Sequence, residues 1–400
     1  MMMRYMFRCA AVVGLVAACA TPTARAYQAA SAPRAAASQA PVLSDYFPPP
    51  EDEGGWRSLL PAEGSPSPGE QAEIKAKTGV DYDKLAEAWK HNAAAGGKTG
   101  LIVIKNGYIV GEWYQDCTAK SDFNIYSSSK AYTSTAFGLI LADFGNGALP
   151  SGRTLTLDTR VCNANWIPES LPLPDPRKED ITVRHLLNMA SGLGVEAVPL
   201  RRPFEYALGH VDGSPFEHLK TNPGTAFHYS NAGVAHLTLL FKNAEGVDLY
   251  PFVKQRLLDP IGEKQVRWTQ IGGEGGIGPY TQGYSGLLTT PREHARFCYL
   301  GLHRGLWGNR RVVPASYYDF AWKGTKNKPD YGAQWWVEPR HKGAPADLVQ
   351  TAGARNNHGF VVPSLDLVFV RLGDVNKFPK NWEHELVMKV IDAVGPRPVE

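Results

Sequence analysis

Apolar and polar positions follow two rhythms along this chain, and the change from one to the other divides it. Residues 100–114, GLIVIKNGYIVGEWY, hold two β-rich runs flanking Asn106-Gly107, the strongest two-residue hairpin signal. The stretch before them, DYDKLAEAWKHNAAAGG (81–97), has helical spacing and ends in glycines. From 127 to about 280 the chain reads as helix and loop: KAYTSTAFGLILADFG, ITVRHLLNMASG, NAGVAHLTLLFKNAEG and LYPFVKQRLL. Leu186, Leu187 and Ala190 share one side of the second of these. Strand signals return in YGAQWWVE, HGFVVP and LDLVFVRLG. The closing helix, NWEHELVMKVIDAVG, puts Leu386, Val387, Val390, Ile391 and Val394 on one apolar face.

Strands at both ends and helices between them predict a mixed α/β (α+β) fold. Its antiparallel sheet is built from N- and C-terminal strands, flanked by helices, with a mostly helical inserted subdomain at about 127–280. A doubly wound sheet also joins distant strands through helices, but hairpins at both ends favour the antiparallel arrangement.

Composition adds limits. The 400 residues are 43% hydrophobic and 20% charged, enough for a substantial core, and the net charge is only +3. Basic residues are scattered, which argues against a nucleic-acid partner. The start is not fold: MMMRYMFR is a short basic region and CAAVVGLVAACA an apolar stretch too short to span a bilayer. Together they read as an export signal over 1–26. Two cleavage readings stand open. VAAC at 16–19 makes Cys19 a lipidated residue and a membrane anchor; ARA at 24–26 gives ordinary cleavage before Tyr27. Both place the mature protein outside the cytoplasm, in the periplasm, either free or as an outer-membrane lipoprotein. Residues 27–77 are rich in Pro, Ala and Ser and read as a linker or draped arm, with the catalytic domain at 78–395. Beyond the signal only Cys117, Cys162 and Cys298 remain, so at most one internal disulfide forms. No CxxC or HExxH pattern occurs, and no metal or cofactor is expected.

The chemistry concentrates in NIYSSSKAYTS, residues 124–134. Ser127 and Lys130 are three apart, on one face if helical. A serine at a helix start sits near the positive end of the helix dipole. A buried lysine beside it loses its proton more readily and can act as base. Neither Ser128 nor Ser129 has a lysine three residues on.

About a hundred residues later, NPGTAFHYSNAG holds Tyr229, Ser230 and Asn231. YSSSK first and YSN second, in that order and separation, resemble the serine β-lactamase and penicillin-binding protein superfamily, and most of all its branch of class C β-lactamases, DD-peptidases and related esterases and amide hydrolases. DITVRHLLNMASGL, YSNAGVAHLTLL, GYSGLLTTPREHARF and VVPSLDLVFVRLGD look like that family's connecting segments, so the resemblance covers about residues 78–395. It implies that Ser127 attacks a carbonyl and becomes acylated. It implies that Lys130 and Tyr229 share proton handling, with a nearby ammonium lowering the phenol. Asn231 would bond the substrate amide and Lys130. Two backbone N–H groups would hold the oxyanion: Ser127's own and one near residues 355–358. Which of Lys130 and Tyr229 takes the first proton stays open.

The family's third element, a Lys or His followed by Thr, Ser or Gly and then Gly, is irregular. The literal Lys98-Thr99-Gly100 precedes the nucleophile and reads as a loop before a strand. Counting back from Pro363, Ala354, Arg355 and Asn356 fill the slot, so the usual cation is missing and Arg355 or His358 is the stand-in. GGEGGIG contains G-x-G-x-x-G from Gly273 to Gly278, but Pro279 follows at once and no helix opens there. Trp335 and Trp336 read as core or pocket wall, and His185 and Met189 as structural. Loops at 195–225 and 270–284 are candidates for the pocket rim.

The resemblance therefore implies an exported serine hydrolase that takes a small-molecule ester, amide or lactam. The irregular third element favours a carboxylesterase or amidase. The alternatives are a β-lactamase or DD-peptidase acting on β-lactams or peptidoglycan peptides, and a catalytically silent binding module on the same fold.

Overall fold

The computed structural model describes residues 43–337 and 340–395. In chain order its main elements begin with α1 (Pro68–Thr78), α2 (Tyr82–Ala93), β1 (Thr99–Lys105) and β2 (Tyr108–Gln115). Helices follow: α3 (Ser129–Ile140), α4 (Val183–Leu187), α5 (Pro203–Leu208), α6 (Asn231–Glu245), α7 (Leu249–Val253), α8 (Pro291–Leu302) and α9 (Ala315–Ala321). The chain then returns to strand in β3 (Tyr331–Gly332), β4 (Trp335–Val337), β5 (Val349–Gly353), β6 (Asn357–Val362) and β7 (Leu367–Gly373), and closes with α10 (Trp382–Val394).

These strands form one antiparallel sheet in the order β3-β4-β5-β6-β7-β1-β2, so the C-terminal strand β7 pairs with the N-terminal strand β1. Asn106 and Gly107 both take positive φ (52° and 73°), the backbone a tight hairpin turn requires, and β2 folds back on β1. Both faces of the sheet are covered, which explains the unbroken apolar runs in β1 and β7. Ile102, Ile104, Val368 and Val370 point to a large core with α3, α6 and α8. Leu101, Val103, Leu367 and Phe369 point to a second core with α2 and α10.

Three expectations change. The second helix candidate is short: α4 stops at Leu187, and Met189 takes positive φ. Strand β5 and helices α8 and α9 form where the apolar pattern predicts no strand or helix. The third change concerns the linker, because residues 43–77 are docked. Arg57 stacks between the rings of Tyr46 (4.2 Å) and Tyr108 (3.7 Å), and Trp56 is buried. Arg296 donates to the carbonyls of Pro48 and Pro49, and Glu51 pairs with Arg296 (2.7 Å) and Arg292 (3.0 Å). Ser67 closes a capping box with Glu70 that starts α1. The export signal, Cys19 and linker residues 27–42 lie outside the described residues. No described helix is long and apolar enough to cross a membrane.

Candidate active site

Ser127 lies on a 3-10 turn, Tyr126–Ser128, that runs directly into α3. The three serines have three different fates. Ser128 donates its hydroxyl to the Asn357 carbonyl (2.6 Å) and Ser129 to the Tyr126 carbonyl (2.6 Å), so both are engaged by backbone. Ser127 Oγ instead accepts a hydrogen bond from Lys130 Nζ at 2.8 Å, one helical turn on. The Tyr126 backbone sits at φ 48°, an uncommon conformation for a tyrosine, held by its N–H donating to Asn124 Oδ1 (2.8 Å).

Lys130 is 1% exposed and pairs with no described carboxylate. It also donates to the Tyr284 carbonyl at 2.8 Å. Burial disfavours the ammonium and brings its pKa down to about 7. Tyr229 precedes α6 by two residues, and Lys130 Nζ lies 5.0 Å from its ring centroid. Burial pushes the phenol up to about 12, while a hydrogen bond with Ser127 and the charge of Arg340 act in the opposite direction. The expectation of a lowered phenol is therefore overturned. Desolvation outweighs the neighbours, and Lys130, only about half protonated at pH 7, does not offset it.

Asn231 opens α6. Its Oδ1 is buried and has no hydrogen-bond partner among the described residues, so the anticipated bond to Lys130 is not made; the Tyr284 carbonyl holds that donor instead. Arg355 reaches the site's edge, with its guanidinium 5.3 Å from the Tyr126 ring centroid. His358 does not belong to the cluster. Side chains alternate across a strand, and position 358 faces α10, where Nδ1 lies 3.1 Å from Glu383 Oε1. Its Nε2 lies 3.1 Å from the Gly353 carbonyl oxygen. Burial alone would raise the Glu383 carboxyl, but the charge of His358 and hydrogen bonds from His341 and His358 hold it well below the usual range.

Of the two tryptophans read as core or pocket wall, Trp336 joins an aromatic wall beside Tyr229 whose other members, Phe227 and Tyr331, sequence reasoning missed. Trp336 lies nearly parallel to Tyr229 at 6.1 Å, Tyr331 meets both edge-on, and Phe227 meets Tyr331 at 5.1 Å. Arg340 stacks over Trp336 at 4.4 Å. Only the alternation of β4 foreshadows this, since Trp335 points inward and donates to the Tyr317 hydroxyl (3.1 Å) while Trp336 points outward. Lys98-Thr99-Gly100 opens β1, where Thr99 is buried and bonds the Leu372 carbonyl. Gly273–Gly278 is a loop between two two-residue strands, Gln270–Ile271 and Tyr280–Thr281. Among the described residues no group of three or more His, Cys, Asp or Glu is arranged to hold a metal.

The cluster thus offers a hydroxyl held by a buried amine, with a phenol on the same oxygen: the parts needed to activate a nucleophile and move its proton. A family model described as Beta-lactamase matches residues 84–389. No curated protein matches significantly. Among solved structures, a putative beta-lactamase from Bacteroides dorei DSM 17855 is similar with a TM-score of 0.62 at 18% identity, over 79% of this chain and 99% of that one. A putative 6-aminohexanoate-dimer hydrolase from Bacillus anthracis follows at 0.60 and 19%, over 76% and 81%. A family VIII carboxylesterase is similar at 0.59 and 16%, over 78% and 97%. At these identities the likeness is one of fold.

Proposed function

This chain belongs to the Beta-lactamase family, and from that premise we propose that it works as a serine hydrolase through an acyl-enzyme on Ser127, with an ester or amide as substrate. The observation that carries this is the 2.8 Å hydrogen bond from fully buried Lys130 to Ser127 Oγ. In the proposed first step the neutral Lys130 amine takes the Ser127 proton as Oγ bonds to the substrate carbonyl carbon. A pKa of about 7 leaves roughly half of the lysine neutral at pH 7. Tyr229, a phenol throughout the physiological range, passes a proton to the leaving group as the tetrahedral intermediate collapses. Lys130 returns its proton to the Tyr229 phenolate; water then enters, gives a proton to Lys130 as it attacks the acyl carbon, and collapse breaks the acyl–Oγ bond, hands that proton back to Ser127 Oγ and releases the acid. Asn231 Oδ1, buried and without a partner among the described residues, would accept a hydrogen bond from an amide N–H of the substrate.

The esterase or amidase reading rests on the corner at 354–356, which has no lysine or histidine, and on the aromatic wall of Phe227, Tyr229, Tyr331 and Trp336. A second reading, a lactam or peptidoglycan peptide, is favoured by Arg355, which keeps one cation beside Tyr126. A silent binding module has no use for a buried lysine against a serine hydroxyl. Intact mass spectrometry after brief exposure to a penicillin and, separately, to a p-nitrophenyl ester tests these readings. An adduct or turnover that disappears in Ser127→Ala is expected, with the ester the better acyl donor. Acylation that survives in Ser127→Ala sinks the proposal.

Export is part of the same proposal and is supported by the basic-then-apolar start of the chain. If Cys19 is lipidated, Cys19→Ala moves the protein from the membrane to the soluble fraction. Unchanged fractionation rules out the anchor.

A further inference from the structure

The corner between β5 and β6, residues 354–357, presses against the turn that carries Ser127. Ser128, next to the nucleophile, donates to the Asn357 carbonyl (2.6 Å), and Arg355 lies over the Tyr126 ring. At the end of β5 an added Cβ on Gly353 would fall 2.0 Å from the Ile125 carbonyl oxygen, so the two backbones are already in close contact. The corner is conformationally unusual. Arg355 (φ 63°) and Asn356 (φ 54°) are consecutive non-glycine residues in the left-handed region, an arrangement that persists only where the surroundings impose it.

Arg371 on β7 supplies that constraint. Its Nη1 donates to the carbonyls of the two strained residues, Arg355 at 2.6 Å and Asn356 at 3.3 Å, and its Nε donates to Asn92 Oδ1 at 3.1 Å. Asn357 finishes the corner by donating to the Ala354 (3.0 Å) and Gly373 (2.9 Å) carbonyls and accepting from the Gly373 N–H (2.6 Å). Arg371 is 0% exposed, makes no salt bridge among the described residues and leaves Nη2 without a hydrogen-bond partner. Its guanidinium is flanked by the rings of Phe378 (5.2 Å) and Trp382 (5.5 Å), and burial draws its pKa down to about 9. An apolar residue would fill this place without burying a charge. What the guanidinium does there is fix two carbonyl groups of the corner.

We propose that Arg371 is a positioning residue for the reaction at Ser127: through the carbonyls of Arg355 and Asn356 it sets the corner whose backbone faces the nucleophile's turn. This rests on the serine-hydrolase reading above. Peptide planes are rigid, so fixing the 355 and 356 carbonyls also fixes the N–H groups of Asn356 and Asn357. The Asn357 N–H closes the corner by donating to the Ala354 carbonyl, so it is the direction of the Asn356 N–H that matters to an oxyanion forming on a substrate bound to Ser127 Oγ. Lysine keeps the charge but is a point donor that cannot serve both carbonyls and Asn92 together.

The test compares wild type, Arg371→Lys and Arg371→Ala with a p-nitrophenyl ester and with a phenylboronic acid, which forms a tetrahedral anion on the serine. In Arg371→Lys, kcat and boronate affinity are expected to fall together by about 10- to 100-fold while KM stays within about twofold. Guanidinium chloride at tens of millimolar is expected to restore part of the activity of Arg371→Ala and none of that of Ser127→Ala. If Arg371→Ala fails to fold, the lysine variant decides. Unchanged kcat, or a lower kcat with intact boronate affinity, overturns the positioning role. A wild type that neither turns over the ester nor binds the boronate overturns the serine-hydrolase reading and this one with it, and is told apart by arising without any substitution.

Discussion

Lys130 is the residue on which the chemistry turns, and its pH behaviour follows from its burial. With a pKa of about 7, it loses its proton as pH rises through neutrality, so kcat/KM should climb from pH 5 to about 8 and then level. Tyr229, pushed up to about 12, adds no alkaline fall below about pH 10. Lys130→Arg keeps the charge but cannot shed the proton, and acylation should drop by at least ~10²-fold at every pH. A flat wild-type profile between pH 5 and 8 would remove Lys130 as base. Linkage fixes the sign for stability. Below pH 7 the lysine is charged in both folded and unfolded chains, and the desolvation penalty is complete. Between about 7 and 10.4 only the unfolded chain holds the proton, so stability rises with pH. Ser127 and Lys130 were legible in the sequence because an i, i+3 pair on one helical face needs only local geometry, and Tyr229 because YSN follows YSSSK in the order of the family the chain resembles. His358 was misread because a strand's parity decides which face a side chain takes, and one residue of offset moves it to α10. Arg340 left no trace, since it reaches Trp336 from beyond a strand end rather than through a periodic element.

Among the elements, the hairpin of β1 and β2 was legible because its turn carries its own chemistry in Asn106-Gly107. Strand β5 was not, because VQTAG is short and its apolar pattern too brief to show a period. Its identity as a strand is imposed by neighbours: β4 and β6 pair on either side, and Gly353 ends it against Ile125. That close approach makes a prediction for the element. Gly353 has φ −125°, which any residue adopts, so Gly353→Ala meets no backbone strain but would press on the Ile125 carbonyl oxygen at 2.0 Å and lie tight against the Asn357 carbonyl oxygen at 3.1 Å. The nucleophile's turn must move, since Ile125 O also accepts from the Ser128 N–H (3.1 Å). The variant should lose about 1–3 kcal/mol in urea unfolding and at least ~10-fold in kcat. Gly147→Ala, with nothing within 4 Å of the added Cβ, serves as the control. Equal behaviour of the two variants would mean that the contact carries no strain.

For the whole molecule, both termini of the catalytic domain meet in one sheet, which the distribution of strand signals announced. The docked arm was hidden. Proline-rich sequence has no period, and the arm docks through carbonyls and through irregularly spaced apolar side chains, Leu43, Tyr46, Phe47, Trp56 and Leu60, that form no periodic face. Its docking shortens any tether. If Cys19 carries lipid, residues 43–77 add nothing to the reach of the linker that composition extended to residue 77. The arm also closes an electrostatic account inside the domain. Arg296 is 0% exposed, and Glu51 at 2.7 Å is its nearest carboxylate; Glu293 is 4.0 Å away, and burial raises its carboxyl toward the neutral form. Glu51→Ala therefore strands a buried guanidinium, which should lower stability by about 3 kcal/mol with an unchanged denaturant m-value. Glu53→Ala, two residues away, breaks only an exposed pair with Lys264 and should change stability by less than about 0.5 kcal/mol. Urea midpoints of the two variants decide the matter. A clear gap makes the arm a structural part of the catalytic domain, and no gap returns residues 43–66 to the linker their composition suggests.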